Sequence, residues 1–196
     1  MGIGRRTAES RSNGDRVSGD DDGKRFSELV MPHLGDAYAL AHWLTGNQAD
    51  AEDVVQEACL RAFRALAGFA GGSSRAWTLT IVRHTAYSWL GKNRRSMLVA
   101  VDDLEAVERA QPLSGTDAAS RPTPETELIA KADAARLETA IAMLPLQFRE
   151  TLVLRDLQGL SYREIAEVTA VPVGTVMSRL ARARARLIDL IRADEP

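Results

Sequence analysis

The chain predicts an all-α fold, built as two small helical domains joined by a flexible linker. Three observations carry that prediction. Apolar residues recur at helical spacing through residues 25–95 and again through 124–192, and no stretch alternates with strand period over a useful length. Ala, Leu and Arg dominate while aromatic residues make up only 5%, which favours helix over sheet. Between the two blocks, residues 96–123 hold no aromatic side chain, an acidic bias from Asp102, Asp103, Glu105 and Glu108, and turns near Pro112 and Pro122, the composition of a linker.

Taken in order, residues 1–24 are rich in Gly, Ser, Asp and Arg with almost no large apolar group, and are expected to be a disordered tail. Phe26, Leu29, Val30, Ala37, Leu40, Ala41 and Leu44 then keep one helical stripe, stopped by Thr45-Gly46-Asn47. A second helix runs from Ala51 to Leu66, with Val54, Val55, Ala58, Cys59, Ala62 and Phe63 inward. Phe69 to Ser74 is a Gly-rich loop, and Trp77, Ile81, Val82, Thr85 and Trp89 mark a third, long helix. Within the linker, the stretch around Leu98 to Val107 could form a short helix. The second block opens with a helix from about Pro124 to Met143, broken by Leu144-Pro145. Another follows from Phe148 to Leu157, closed by Gly159.

The last stretch, Leu160 to Leu187, is the most informative. Ser161 with Glu164 three residues on forms a capping box. Ile165, Ala166 and Val168 give a short apolar face, and Ala170-Val171-Pro172 ends that helix. A new helix can start at Pro172 or Val173, with Val176, Leu180 and Leu187 at helical spacing. Arg179, Arg182, Arg184 and Arg186 charge it, and no acid lies between Val173 and Ile188. Two short helices, a tight turn and a basic second helix are helix-turn-helix geometry, whose second helix lies in the DNA major groove. The plainer alternative is a surface hairpin with a solvated Arg face. Capping box, turn chemistry and one-sided charge agree in favouring the DNA reading.

Composition narrows the rest. The net charge is −2, so charge is informative by segment and not in total. Asp50, Glu52, Asp53 and Glu57 crowd residues 47–57 without one basic residue, which excludes that surface as a phosphate contact. It suits either the helix dipole or a basic protein partner. From Arg75 to Arg95 the pattern inverts: Arg83, Lys92, Arg94 and Arg95, no acids, and aromatic neighbours suited to phosphate and unstacked bases. Trp77 and Trp89 fall on the apolar stripe and read first as core. Loop 70–74 could admit a flipped base, though such loops are usually connections. The lone Cys59 excludes an internal disulfide and reads as an inert thiol. His33, His42 and His84 share no metal-ligand spacing. No nucleophile–base motif or phosphate loop supports an enzyme, and no metal or cofactor is expected. Neither a membrane-length apolar run nor a signal-peptide core is present, so a cytoplasmic location without membrane insertion is the expectation.

Three segments resemble one family. Asp50-Ala51-Glu52-Asp53-Val54-Val55-Gln56-Glu57-Ala58 is similar to the core-polymerase-binding helix of bacterial extracytoplasmic-function (ECF) sigma factors of the sigma-70 family. Arg75-Ala76-Trp77 through Asn93-Arg94-Arg95 resembles their promoter-opening segment. Leu144-Pro145, Arg149-Glu150, Val153-Leu154-Arg155 and Gly159 to Leu187 resemble their domain 4. The resemblance implies sigma domain 2 over 25–95 and the helix-turn-helix sigma domain 4 over 124–192. The implied function is non-enzymatic: binding core RNA polymerase, recognising −10 and −35 promoter elements, and initiating transcription of a stress or signal regulon.

By position, the resemblance assigns Asp50, Glu52, Asp53, Gln56 and Glu57 to the β′ clamp coiled coil, with the β flap as a second polymerase contact. It assigns Arg83, His84, Lys92 and Arg94 to the −10 strand, and Thr175, Ser178, Arg179 and Arg182 to the −35 duplex. Arg182 is the best candidate for a guanine edge; Arg184 and Arg186 suit phosphate contact or solvated charge. An anti-sigma factor is an implied partner. Three departures stand out. Met177 replaces a common Lys or Arg, His84 replaces a common Asn, and Thr169-Ala170 replaces an apolar-Gly pair at the turn. Two rivals remain: a sigma-like decoy, and a simple dimeric helix-turn-helix regulator, which would leave the acidic helix without a task.

Overall fold

A computed structural model describes residues 12–99 and 124–193, with side chains described over 21–93 and 133–193. Every regular element among these residues is helical. The eight α-helices are α1 (Ser12–Leu29), α2 (Leu34–Thr45), α3 (Gln48–Ala65), α4 (Ser74–Val99), α5 (Pro124–Ala142), α6 (Leu146–Leu152), α7 (Tyr162–Thr169) and α8 (Val173–Ala193).

Several boundaries differ from the sequence expectation. Helix α1 begins at Ser12, inside the segment assigned to a disordered tail. The spacing of Asp21 to Arg25 is the favourable acid-before-base pair that supports an otherwise polar helix. The single stripe expected from Phe26 to Leu44 is two helices. Pro32 interrupts it in a 3-10 turn, Met31–His33, because proline offers no amide hydrogen to continue the ladder. Helix α4 runs to Val99, past the expected boundary at 95. Residues 100–123, including most of the suggested 98–107 helix, lie outside the described residues. After Pro145, α6 starts at Leu146 and widens at Val153–Leu157 into a π turn. Phe63, expected inward, is 45% exposed and meets Phe26 edge-on at 5.8 Å.

The stops and starts follow local chemistry. Gly46 caps α2 in the left-handed region, and Asn47 caps α3 by accepting the Asp50 amide at 2.8 Å. Helices α2, α3 and α4 pack mutually, with α1 alongside. Their contact faces are unusually small: Ala37, Ala41, Ala51, Ala58, Ala76 and Ala86 are all buried, letting backbones approach closely around Leu40, Leu44, Val54, Leu79 and Val82. A fully buried Leu of this kind contributes about 1.5–3 kcal/mol by leaving water.

The C-terminal helices do not form a separate core. α7 packs on α4 and α6 on α2. One apolar cluster runs without a break from Leu40 and Val82 to Val153, Leu154, Leu160, Ile165, Val168 and Val176. A smaller cluster, Ile141, Leu144, Leu152 and Ala183, leans on Trp43 of α2. Cys59 is half-buried and its thiol is pushed up by desolvation, in keeping with an inert side chain.

His42 sits on α2, buried, with its Nδ1 unpartnered among the described residues. Burial holds its imidazole below the ordinary 6.5, against a small opposing pull from Glu138 of α5. The unfolded chain therefore takes up that proton first. The stability contributed by neutral His42 is present above about pH 6.5 and is lost as pH falls through that value. Thermal midpoints measured from pH 7.5 to 5.5 are expected to fall, and His42→Gln is expected to remove part of that slope. An identical slope in the variant would rule the group out.

Candidate nucleic-acid and protein interfaces

Helix α3 carries the acidic face. Ala51, Val54, Ala58 and Ala62 turn inward, which leaves Glu52, Asp53 and Gln56 exposed on the opposite side. Asp50 is half-buried, and its Oδ2 accepts from the Asn47 side chain, so part of its charge serves the helix start. Gln48 donates to Glu52 at 2.9 Å. Glu57 is held below the usual carboxylate range by Arg61, which donates to it at 2.8 Å one turn on. Of the five residues assigned to this face, Glu52 and Asp53 are the acids most open to a partner. Leu60, 49% exposed, extends the face with an apolar group.

Helix α4 separates its assigned residues onto two flanks. His84 and Lys92 are exposed at i and i+8, with Ser88 between them on the same side. Ser88 was not singled out in the sequence, although its spacing marks it. Arg83 faces the other way. Its Nε donates to Glu150 Oε1 at 2.6 Å, its guanidinium lies 4.5 Å over the Tyr87 ring, and only 16% of its side chain is exposed. Arg94 lies within α4, but its side chain is outside the described residues. The nearby loop holds Gly71 and Gly72 at φ +101° and +99°, a backbone that requires glycine, and a Cβ at either would meet open space. Trp77 packs against Phe69 at 5.2 Å and Trp89 against the main core, as the apolar stripe suggested.

Helices α7 and α8 form the basic reader. Both halves of the Ser161 capping box are made: the Glu164 amide to Ser161 Oγ at 3.3 Å, and the Ser161 amide to Glu164 Oε2 at 2.8 Å. Arg155 braces the approach, donating to the Leu160 carbonyl at 2.8 Å with its guanidinium 4.9 Å over Tyr162. Val176, Leu180 and Ala183 bury one face of α8. At 100° per residue, Thr175, Ser178, Arg179 and Arg182 share a flank beside that face. Ser178 and Arg182 are exposed, while Thr175 and Arg179 are partly covered. Met177, 52% exposed, and Arg184 lie on the far flank. Arg184 is engaged by Asp156 through two hydrogen bonds of 3.0 and 2.6 Å, so it is less available to phosphate than its position suggested.

Glu150 was quoted in the sequence only as part of the family resemblance, and its role at a buried ion pair was missed. It is fully buried and bonded to Arg83, accepts from Tyr87 Oη at 3.2 Å, and feels the charge of Arg179. Desolvation raises its carboxyl above the ordinary range, with Arg83 and Tyr87 opposing; Tyr87 itself is pushed up to about 12, chiefly by burial. Its signal was a charged residue inside the apolar pattern of α6.

No group of three or more His, Cys, Asp or Glu among the described residues could hold a metal ion, and no described helix is long and apolar enough to cross a membrane. Two helical modules, one with an acidic helix beside a basic one and the other a helix-turn-helix, define the class. Residues 29–96 match the family described as Sigma-70 region 2, and residues 134–187 match Sigma-70, region 4. The ECF RNA polymerase sigma factor SigE of Mycolicibacterium smegmatis is 34% identical over 167 residues, spanning 85% of this chain and 61% of that protein. The ECF RNA polymerase sigma-E factor of Escherichia coli is 35% identical over 165 residues, spanning 83% and 84%. The solved sigma factor RpoE from Bartonella quintana, in complex with the anti-sigma factor NepR, superposes with a TM-score of 0.70 at 26% identity, covering 88% of this chain and 99% of that one. CnrH, in complex with the cytosolic domain of CnrY, superposes at 0.60 and 25% identity, covering 93% and 100%. The chain belongs to the ECF sigma factors of the sigma-70 family, a non-enzymatic family whose members bind RNA polymerase and promoter DNA.

The turn of the reader carries a testable strain. Ala170 caps α7 at φ +54°, ψ +41°, the left-handed region that disfavours any residue with a Cβ. Ala170→Gly is expected to stabilise the fold by about 0.5–1 kcal/mol. The check is the chemical-denaturation midpoint at constant m; an unchanged or lowered midpoint contradicts it.

Proposed function

We propose that this chain docks on core RNA polymerase through the exposed acids of α3 and reads a two-part promoter with α4 and α8. The exposed Glu52, Asp53 and Gln56, flanked by Asp50, Glu57 and the apolar Leu60, suit the basic side of a coiled coil, which the family resemblance identifies as the β′ clamp. The β flap is the second polymerase contact that the resemblance implies. His84, Lys92, Arg94 and, once released, Arg83 suit the −10 element as a single strand. Thr175, Ser178, Arg179 and Arg182 suit the −35 element in the major groove, with Arg182 the candidate for a base edge.

The observation that carries this reading is the opposition of surfaces on one chain: the exposed acids of α3, which repel phosphate, and a helix in helix-turn-helix geometry that is acid-free from Val173 to Ile188, which attracts it. The decoy and the simple regulator each leave one of these surfaces idle. We read the factor as acting in the cytoplasm, on a regulon that answers stress or signal, as the family resemblance implies. Anti-sigma control is supported by the solved relatives, which were captured with NepR and CnrY.

Reconstitution tests it. Purified chain added to bacterial core RNA polymerase is expected to give promoter-specific transcripts, at promoters found by sequencing the transcripts induced on overexpression. Glu52→Lys with Asp53→Lys should weaken core binding about tenfold, roughly 1.4 kcal/mol. The fold should remain, since neither residue is buried or caps the helix. Unchanged core affinity would move the docking surface elsewhere. Arg182→Ala should lose about 1–3 kcal/mol on the cognate −35 sequence and little on a scrambled one. Equal losses on both would make Arg182 a phosphate contact.

A further inference from the structure

One flank of α8 carries apolar groups that the protein itself does not bury. Val173 and Met177 stand one turn apart at i and i+4, 38% and 52% exposed, in the first two turns of the helix. Arg184 shares their side of the helix, but Asp156 holds it through two hydrogen bonds, so no open cation accompanies them. Between Met177 and Arg182 runs a crest of small residues, Gly174, Ser178, Ala181 and Ala185, all exposed. Gly174 has no left-handed backbone, and a Cβ there would meet open space, so nothing among the described residues calls for its missing side chain. A low crest lets the helix seat closely against whatever it faces, with Met177 along one edge and Arg182 along the other. At 100° and 1.5 Å per residue these two are about 140° apart around the axis and roughly 7.5 Å apart along it.

We infer that Met177, supported by Val173, is a specificity-determining residue that packs on the C5-methyl group of a thymine in the −35 element. This rests on the reading of α8 as the helix in the major groove, and gives that helix a second reading edge. The first turns of a recognition helix are the ones that meet base edges. A helix about 10–12 Å wide fills a groove of about 12 Å, so its two edges face opposite walls. Arg182 on one edge suits guanine acceptors, whereas thymine is the base that offers an apolar group to the groove. The thioether of Met177 makes no strong hydrogen bond, and its unbranched stem adapts to a methyl group. Charge and size select nucleic acid over protein as the occupant. Helix α8 is acid-free from Val173 to Ile188, and Ser178, Arg182 and Arg186 are open beside the pair. Two apolar side chains are too little surface to hold a protein partner by themselves. The −35 element is therefore mixed, with an A·T pair under Met177 within a few base pairs of the one read by Arg182.

The test uses the full chain with core RNA polymerase and a promoter duplex found by transcript sequencing. Each thymine of the −35 element, on either strand, is replaced in turn by deoxyuridine, which removes the C5-methyl and keeps the base pairing. Competition binding to wild-type holoenzyme is expected to weaken about fourfold at one position, the worth of one buried methyl group, roughly 0.8 kcal/mol. Met177→Ala holoenzyme is expected to bind the thymine and deoxyuridine duplexes equally at that position. Met177→Leu, which keeps an apolar group of similar size, should keep the discrimination. Both variants should bind core as tightly as wild type, with unchanged helicity by circular dichroism. Tolerance of deoxyuridine at every position, a −35 element without an A·T pair, or a methyl preference that persists in Met177→Ala each overturns the inference. Weakened core binding by Met177→Ala does so too, and would make the pair a polymerase contact. Those outcomes leave α8 as the −35 reader, whereas a wild-type chain that gives no promoter-specific transcripts overturns that reading as well.

Discussion

The buried Glu150 carboxylate is the interaction on which the arrangement of this molecule depends. A carboxylate taken wholly out of water costs several kcal/mol unless it is paired and hydrogen-bonded. Here the compensation comes from the other module, through Arg83 and Tyr87 on successive turns of α4. Such a pair contributes little net stability compared with an apolar pair of the same volume, but it penalises every arrangement that leaves one member buried alone. Its effect is to choose one docking of α6 on α4 over the many that apolar contact alone would allow.

The same logic extends to the surface. The chain is nearly neutral overall, yet its charge is sorted by helix. The exposed acids of α3 and the exposed Arg182 and Arg186 of α8 cannot serve the same partner. Ion pairs cancel part of the charge on each: Asp156 holds Arg184 of α8, Asp36 holds Arg75 of α4, and Arg61 holds Glu57 of α3. The ion pairs thus trim each surface, leaving Glu52 and Asp53 as the core of one and Ser178 and Arg182 as the core of the other.

What could be read in the sequence was whatever is encoded by neighbours. The capping box, the turn at Gly46-Asn47, the helical stripes and the helix-turn-helix depend on residues within a few positions of one another, and all were legible. Pro32 was equally local, yet the apolar stripe ran through it, because a one-turn break preserves the facing of Leu29 and Ala37. Phe63 read as core because its spacing is helical; only the tertiary position of Phe26 shows that it packs at an edge. Glu150 and Arg83 are 67 residues apart, and nothing in either neighbourhood specifies the pair. Arg83 therefore read as an open cation when its guanidinium is occupied.

The docked interface is graded from wet to dry. At one end, Arg75 and Asp36 keep about 30% of their side-chain surface in water, so their bonds can be exchanged for hydration at little cost. At the other, Glu150 has none and Arg83 has 16%. Opening that begins at the dry end would strand a bare carboxylate before water could reach it. The Arg75–Gln158 end is the more solvated of the two, so the specificity of the junction rests on the dry Glu150 end.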